Sequence, residues 1–264
     1  MKTIITLLLC LIILPALPVA AAQSDEELAK ATQNPVAPMI SVPFQNNWDF
    51  GIGPADAMRY TLNFQPVVPL TLNSKYNLII RTIVPYIYAQ APVEGGDDES
   101  GLGDTTQSFF FSPKEKINGW IVGTGPTLYY PTATNDAIGS KKWGAGPTVV
   151  VLKQQNGLTY GLLSNHIWSF TGDEDRNEIC ATFIQPFFSF TTKTYTTFGV
   201  NTESTYDWAN SQWTVPVNLS ITQILKIRGF PLTCQLGYRY YAEAPDSGPD
   251  WGLRFTLTFL FPNK

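Results

Sequence analysis

The stretch from 251 to 261, WGLRFTLTFLF, decides the fold. Leu253, Phe255, Leu257, Phe259 and Phe261 alternate there with Arg254, Thr256, Thr258 and Leu260. Successive side chains of an extended strand point to opposite faces, so this period of two makes one face wholly apolar and the other mostly polar. The segment before it repeats the device, with Leu232, Cys234, Leu236, Tyr238 and Tyr240 against Thr233, Gln235, Gly237, Arg239 and Tyr241. A third, from Trp213, sets Val215, Val217, Leu219 and Ile221 against Thr214, Asn218, Ser220 and Thr222. From residue 57 onward the chain reads as such segments of roughly ten to fourteen residues, the length that crosses a bilayer as a tilted strand.

A soluble sandwich also alternates, so the connections serve as the second test. Short ones fall at 73–75, 113–116, 154–157, 192–193 and 226–229, and longer polar ones at 89–101, 131–141, 171–179, 206–210 and 242–250. Strict exchange of tight turn and long loop is the outer-membrane pattern, with the tight turns on the periplasmic side. Counting back from a periplasmic C-terminus, the segment beginning near Ala57 descends, so something must first carry the chain up. Residues 40–53, with Trp48, Phe50 and Ile52, are the candidate; they raise the tally to about twelve strands and restore the even number of single-chain barrels. Pro43 and Asn46-Asn47 weaken that strand, and a plug inside the lumen is the alternative. The expectation is an all-β fold: a transmembrane antiparallel β-barrel with short periplasmic turns and longer extracellular loops.

Aromatic residues adjoin the long loops: Tyr86, Tyr88, Tyr129, Tyr130, Trp143, Trp168, Phe170, Tyr206, Trp208, Tyr240, Tyr241 and Trp251. Amphipathic rings settle at headgroup depth, so these are read as a girdle, whereas the core of a sandwich would spread them along strand middles. Composition agrees. The chain is 13% aromatic and only 14% charged, where soluble domains carry about 25% charged residues, so its apolar side chains need a partner other than a large core. A formal charge of -4 excludes a nucleic-acid partner, which requires a basic face.

At the N-terminus Lys2 precedes an apolar run from Ile4 to Val19, and Ala20 to Ala22 offer a cleavage pattern. Residues 1–22 are therefore expected to be a signal peptide, 23–39 a periplasmic arm, and 40–264 the barrel. Pro15 and Pro18 argue against an uncleaved anchor, and Leu9 before Cys10 argues against a lipoprotein. In the arm, Ser24 with Glu27 forms a capping box before a short helix ending by Asn34-Pro35. It reads as a periplasmic tail, with a partner-contacting segment as the alternative. Cys180 and Cys234 fall near opposite ends of strands three apart, too far for a disulfide.

Ser164 and His166 lie two apart on one strand and so share a face, the residue types of an outer-membrane lipid hydrolase. No residue is compelled to orient this single histidine, and a plain interfacial or lumen histidine is the favoured reading. Gly123 to Pro126 and Gly144 to Pro147 repeat Gly-x-Gly-Pro inside strands, which suggests curved walls and missing ladder bonds rather than a phosphate loop. Loop carboxylates cluster at Glu94, Asp97, Asp98 and Glu99, at Asp173, Glu174, Asp175 and Glu178, and at Asp246 and Asp250. They read as a solvated face, or as a bridge through hard cations to lipopolysaccharide, without a specific metal site. Charges at inward positions say more, because a charge facing lipid at mid-depth costs about 2–4 kcal/mol. Arg59, Arg81, Asp104, Glu203, Arg239 and Arg254 are the lumen-lining candidates. They either form a basic ladder favouring anionic or polar solutes, or pair with one another and fill a narrow barrel.

Several stretches resemble an outer-membrane transporter family related to the MetA pathway of phenol degradation: AKATQNPVAPMISVPFQNNWDFGIGP, GLGDTTQSFFFSP, GPTLYYPTATNDAIGSKKWGAGPTVVVLKQ, YGLLSNHIWSFTGDEDR, FGVNTESTYDW and YRYYAEAPDSGPDWGLRFTLTFLF. The resemblance implies passage of small compounds, aromatic ones among them, and carries no catalytic residues. One departure from the general barrel pattern is Pro262-Asn263-Lys264 after Phe261, where many such proteins end on the aromatic. The sequence therefore points to a channel in a bacterial outer membrane, not an enzyme and without a cofactor, that meets lipid, lipopolysaccharide, the barrel-assembly machinery and a small solute. A non-conducting structural or surface-interaction barrel is the alternative.

Overall fold

The computed structural model describes residues 24–261. The expected signal peptide and Pro262-Asn263-Lys264 lie outside the described residues. The strands, in chain order, are β1 (Ile40–Ile52), β2 (Ala57–Phe64), β3 (Val67–Thr71), β4 (Tyr76–Ala89), β5 (Glu99–Leu102), β6 (Thr105–Pro113), β7 (Trp120–Tyr130), β8 (Lys142–Gln155), β9 (Leu158–Gly172), β10 (Cys180–Thr191), β11 (Thr196–Thr202), β12 (Ser204–Asp207), β13 (Gln212–Ile227), β14 (Phe230–Glu243) and β15 (Trp251–Phe261). One helix, α1 (Asp25–Thr32), precedes them.

All pairings are antiparallel and the sheet closes. β15 pairs with β1 from Ile40↔Phe261 to Phe50↔Trp251, and β10 pairs with both β9 and β11. Each of the pairs β2 and β3, β5 and β6, and β11 and β12 occupies one place in the wall, which turns fifteen strands into twelve places. A closed antiparallel wall leaves no free edge and pairs its backbone between neighbouring strands, the condition for crossing hydrocarbon with strands. Residues 40–52 are thus the first strand and not a plug.

Side-chain exposure identifies the solvent. The exposed residues include Leu236 at 58%, Leu219 at 54% and Phe198 at 51%, all on the outward face. The buried ones include Asn47, Thr127, Thr148, Asn218, Thr233, Arg239 and Arg254. A protein in water shows the reverse, so the outward face meets lipid. The outer girdle is present in Tyr86, Trp143, Trp168, Phe170, Trp208, Tyr240 and Trp251. Tyr129 and Tyr241 do not belong to it. Both occupy inward register, Tyr129 bonding to Asp104 at the outer rim and Tyr241 to Arg239 in the lumen. A second set at the tight-turn ends, Phe64, Tyr76, Phe190, Phe198 and Phe230, marks the other interface.

The arm does not hang free as a tail. α1 has the expected cap, Ser24 Oγ accepting from Glu27 N and Glu27 Oε2 from Ser24 N, and its apolar side is turned into the periplasmic end of the barrel. Leu28 and Met39 pack on Leu260, and Val36 joins Ile79, Phe110, Val150, Leu152 and Leu163 inside the lumen. The Gly-x-Gly-Pro segment makes room. A Cβ on Gly123 would stand 3.1 Å from Val36 Cγ1 and 3.2 Å from Phe110 Cβ. The prolines of the two copies oppose each other, Pro126↔Pro147, and on the far side of each strand the register is interrupted, between Ser108↔Thr127 and Phe111↔Thr124 and between Ala145↔Trp168 and Thr148↔Asn165. Proline lacks the donor such a ladder needs, which accounts for both gaps.

Candidate functional site: the lumen and its arginine cluster

Two breaks in the wall aim polar side chains at the lumen. Gln65 sits where β2 gives way to β3 at Pro66, its own N–H donating to Pro43 O at 3.0 Å. Glu203 sits between β11 and β12, opposite the register shift at Val215/Pro216 in β13. Interrupting a ladder re-aims the residue at the break, and here both reach inward.

They meet the arginines. Arg254 grips Glu203 with both ends of its guanidinium, Nη1 to Oε1 at 2.8 Å and Nη2 to Oε2 at 2.7 Å. Its Nε and Nη1 of Arg239 both donate to Asn47 Oδ1 at 2.7 Å. Arg239 Nε lies 3.4 Å from Asp49 Oδ1, and its Nη2 donates to Tyr241 OH at 3.0 Å. The Gln45 amide, with its oxygen toward Arg254, lies 2.7 to 2.9 Å from the three guanidinium nitrogens, and it touches the Gln65 amide. Arg81 Nη2 donates to Gln65 Oε1 at 2.9 Å. Among the described residues Arg81 and Arg59 have no ion-pair partner. Glu203 and Arg81 belong to opposite sides of the twelve-place wall, so the network spans the lumen. Arg59, Arg81, Arg239 and Arg254 face only Asp49 and Glu203, and four cations less two anions leave an excess of two positive charges.

Arg81 also separates two cavities. The inner one, of about 250 Å³, lies under the arm and is lined by polar side chains such as Gln185, Asn201, Thr222, Gln235 and Thr256. The outer one, of about 410 Å³, has Arg81 at its floor and walls that include Ile83, Phe110, Leu163, Ile167 and Phe183.

The structure brings together four of the six lumen candidates, Arg81, Glu203, Arg239 and Arg254. Arg59 stands beside the cluster, opposite Asp49 in the β1–β2 register. Asp104 is elsewhere, at the outer rim, where it accepts from Tyr129 OH at 3.0 Å, Ala133 N at 3.0 Å and Ser140 N at 2.7 Å and so ties down the loop after β7. Gln45, Asn47, Asp49, Gln65 and Tyr241 were not among the candidates. Period-two alternation in β1 places the first three on one face, but Asn46 between them is polar too, so the inward side did not stand out.

Ser164 and His166 face outward, opposite to Leu163 and Asn165 on the cavity wall. Ser164 Oγ donates to Phe183 O at 2.8 Å, while His166 pairs with Thr182 at 2.6 Å and packs tilted against Trp168, ring centres 4.1 Å apart. The two side chains do not engage each other, and the interfacial reading of His166 holds. Cys180 and Cys234 are free thiols.

Several loop carboxylates are held by neighbouring donors, and Asp136 and Asp173 share Lys141. A hydrogen bond from Tyr88 OH, with a second from Ala91 N, holds Asp98 below its ordinary range. Lys142, with Ser169, does the same for Glu178, and Lys141 for Asp136. Lys142 is buried, so its 2.7 Å contact with Glu178 anchors the loop before β10 to the barrel rim.

A family model described as "Putative MetA-pathway of phenol degradation" matches residues 55–264. Among solved structures, an outer membrane channel from Pseudomonas putida F1 is similar with a TM-score of 0.66 and 14% identity, over 84% of this chain and 94% of that one. The beta domain of the Bordetella autotransporter BrkA is similar with a TM-score of 0.47 and 10% identity, over 84% and 99%. Among curated proteins, none matches the chain in sequence.

Proposed function

The chain belongs to the family whose description is the MetA pathway of phenol degradation, and from that premise we propose that it is a bacterial outer-membrane channel passing small anionic or aromatic solutes through a narrow lumen. One observation carries the reading: two lumen cavities meet at Arg81, in a cluster where three arginines, with Arg59 beside them, face two carboxylates. A surplus of fixed positive charge in a narrow path raises the local concentration of anions and disfavours cations. The family's description supports aromatic solutes, and the apolar wall of the outer cavity suits them.

The arm makes the docked form the closed one. Solute leaving the inner cavity for the periplasm passes only when the arm withdraws. Outer-membrane lipid covers the outward apolar face, lipopolysaccharide meets the acidic outer loops, and the assembly machinery reads the amphipathic β15. None of these surfaces calls for an enzyme, since Ser164 and His166 point at lipid with their polar atoms engaged.

Planar-bilayer recordings of the folded protein test the proposal. Discrete conductance steps with chloride favoured over potassium are expected. A second reading, a non-conducting structural barrel, draws on the arm and on the ion network that spans the lumen. It predicts silence even after the arm is deleted, and that silence would end the channel reading.

A further inference from the structure

The outer cavity is built differently from the rest of the lumen. Its floor is one guanidinium, and Ile83, Phe110, Leu163, Ile167, Ile179 and Phe183 stand around it. No other lysine or arginine and no carboxylate lines it. At about 410 Å³ it falls in the range of pockets that hold small organic ligands, roughly 300–1,000 Å³. The competing anions of the cluster are already committed, Glu203 to Arg254 and Asp49 to Arg239. Arg81 hydrogen-bonds only the neutral amide of Gln65, and Glu203 acts on it through its field without contact.

We propose that this cavity is a binding site for an organic monocarboxylate with an apolar, ring-sized body, its carboxylate paired to Arg81 and its body laid against the apolar wall. The proposal rests on the channel reading and names the class of solute. A guanidinium offers a carboxylate two parallel charge-assisted hydrogen bonds, which a neutral phenol cannot return. The apolar side chains of the wall reward a ring, a gain that a hydrated inorganic ion cannot make. A dicarboxylate would leave its second charge against that wall. Thr106, Ser108, Tyr129, Ser140, Asn165 and Thr205 interleave neutral polar groups with the apolar ones, and these orient a bound molecule.

Calorimetric titration of the folded protein in detergent with benzoate is the test. Saturable 1:1 binding is expected, at least tenfold tighter than acetate or phenol. Arg81→Gln should weaken benzoate tenfold or more, and Arg81→Lys less. Ile167→Gln keeps the charge and should weaken benzoate while leaving acetate unchanged, which guards against a misfolded Arg81 variant. Absence of saturable benzoate binding, equal affinity for acetate, or no effect of Arg81→Gln would overturn the site. Binding without bilayer conductance even after the arm is deleted would sustain the site and sink the channel; conductance without binding would do the opposite.

Discussion

Val36→Asp should open the barrel from the periplasmic side. Val36 is 4% exposed and packs among Ile79, Phe110, Val150, Leu152 and Leu163. Withdrawing a buried valine forfeits about 1.5–3 kcal/mol, and leaving an unsatisfied polar group in that apolar hole adds at least about 1–3 kcal/mol. Against this stand two outer tethers. The Asp25–Lys226 pair is partly exposed, 2.5 Å long, and so worth at most about 1 kcal/mol. Gln154 Nε2 donates to Lys30 O at 2.8 Å, worth about as much. A loss near 4 kcal/mol shifts the docked-to-released ratio by about three powers of ten. Single-channel recording should then show longer or larger openings than the wild type, and trypsin should cut after Lys30 in the folded barrel. A variant that protects Lys30 and conducts as the wild type would refute the reasoning, because the arm's hold would then lie elsewhere.

Glu203→Gln leaves four arginines facing Asp49 alone. Reversal potentials should move toward stronger anion preference, and the urea midpoint should fall in line with about 3–5 kcal/mol for a broken buried pair; unchanged selectivity would mean that the cluster does not bound the path. Leu236→Arg places a charge on the lipid face of β14 and should cost about 2–4 kcal/mol in vesicle unfolding, whereas Gln235→Arg, one residue along and inward, should cost far less. Equal costs would contradict the assigned faces. Acid should loosen the outer loops. Glu178 has its pKa lowered, chiefly by Lys142, so its contribution is complete above the unfolded value of 4.5 and is lost as the pH falls below it through the folded value. Amide exchange in 173–179 should accelerate below about pH 4.5, and Lys142→Met should move the onset upward.

The wall was legible because its cause is local. Strand geometry writes a period of two directly into WGLRFTLTFLF, and the solvent on each face selects which residue types alternate. The tight-turn and long-loop pattern added direction, and evenness of the strand count found β1 despite Pro43 and Asn46-Asn47. Arg81, Arg239 and Arg254 were readable for the same reason, since a charge in the wrong register would face hydrocarbon. Tyr129 and Tyr241 were misread because position along a strand gives depth, whereas a neighbour in sequence, such as Tyr130 or Tyr240, occupies the opposite face.

By itself the sequence determined which side of every strand is greasy, and hence that the chain closes on itself in lipid. It could not say that Glu203 would reach Arg254 across three places of the wall, that Asn47 would collect two guanidiniums, or that Val36 would fill the space left by Gly123. Those contacts join residues up to 207 positions apart. They depend on how many strands close the ring and on the breaks at Gln65 and Glu203, and only the closed barrel sets the distance from one wall to the other.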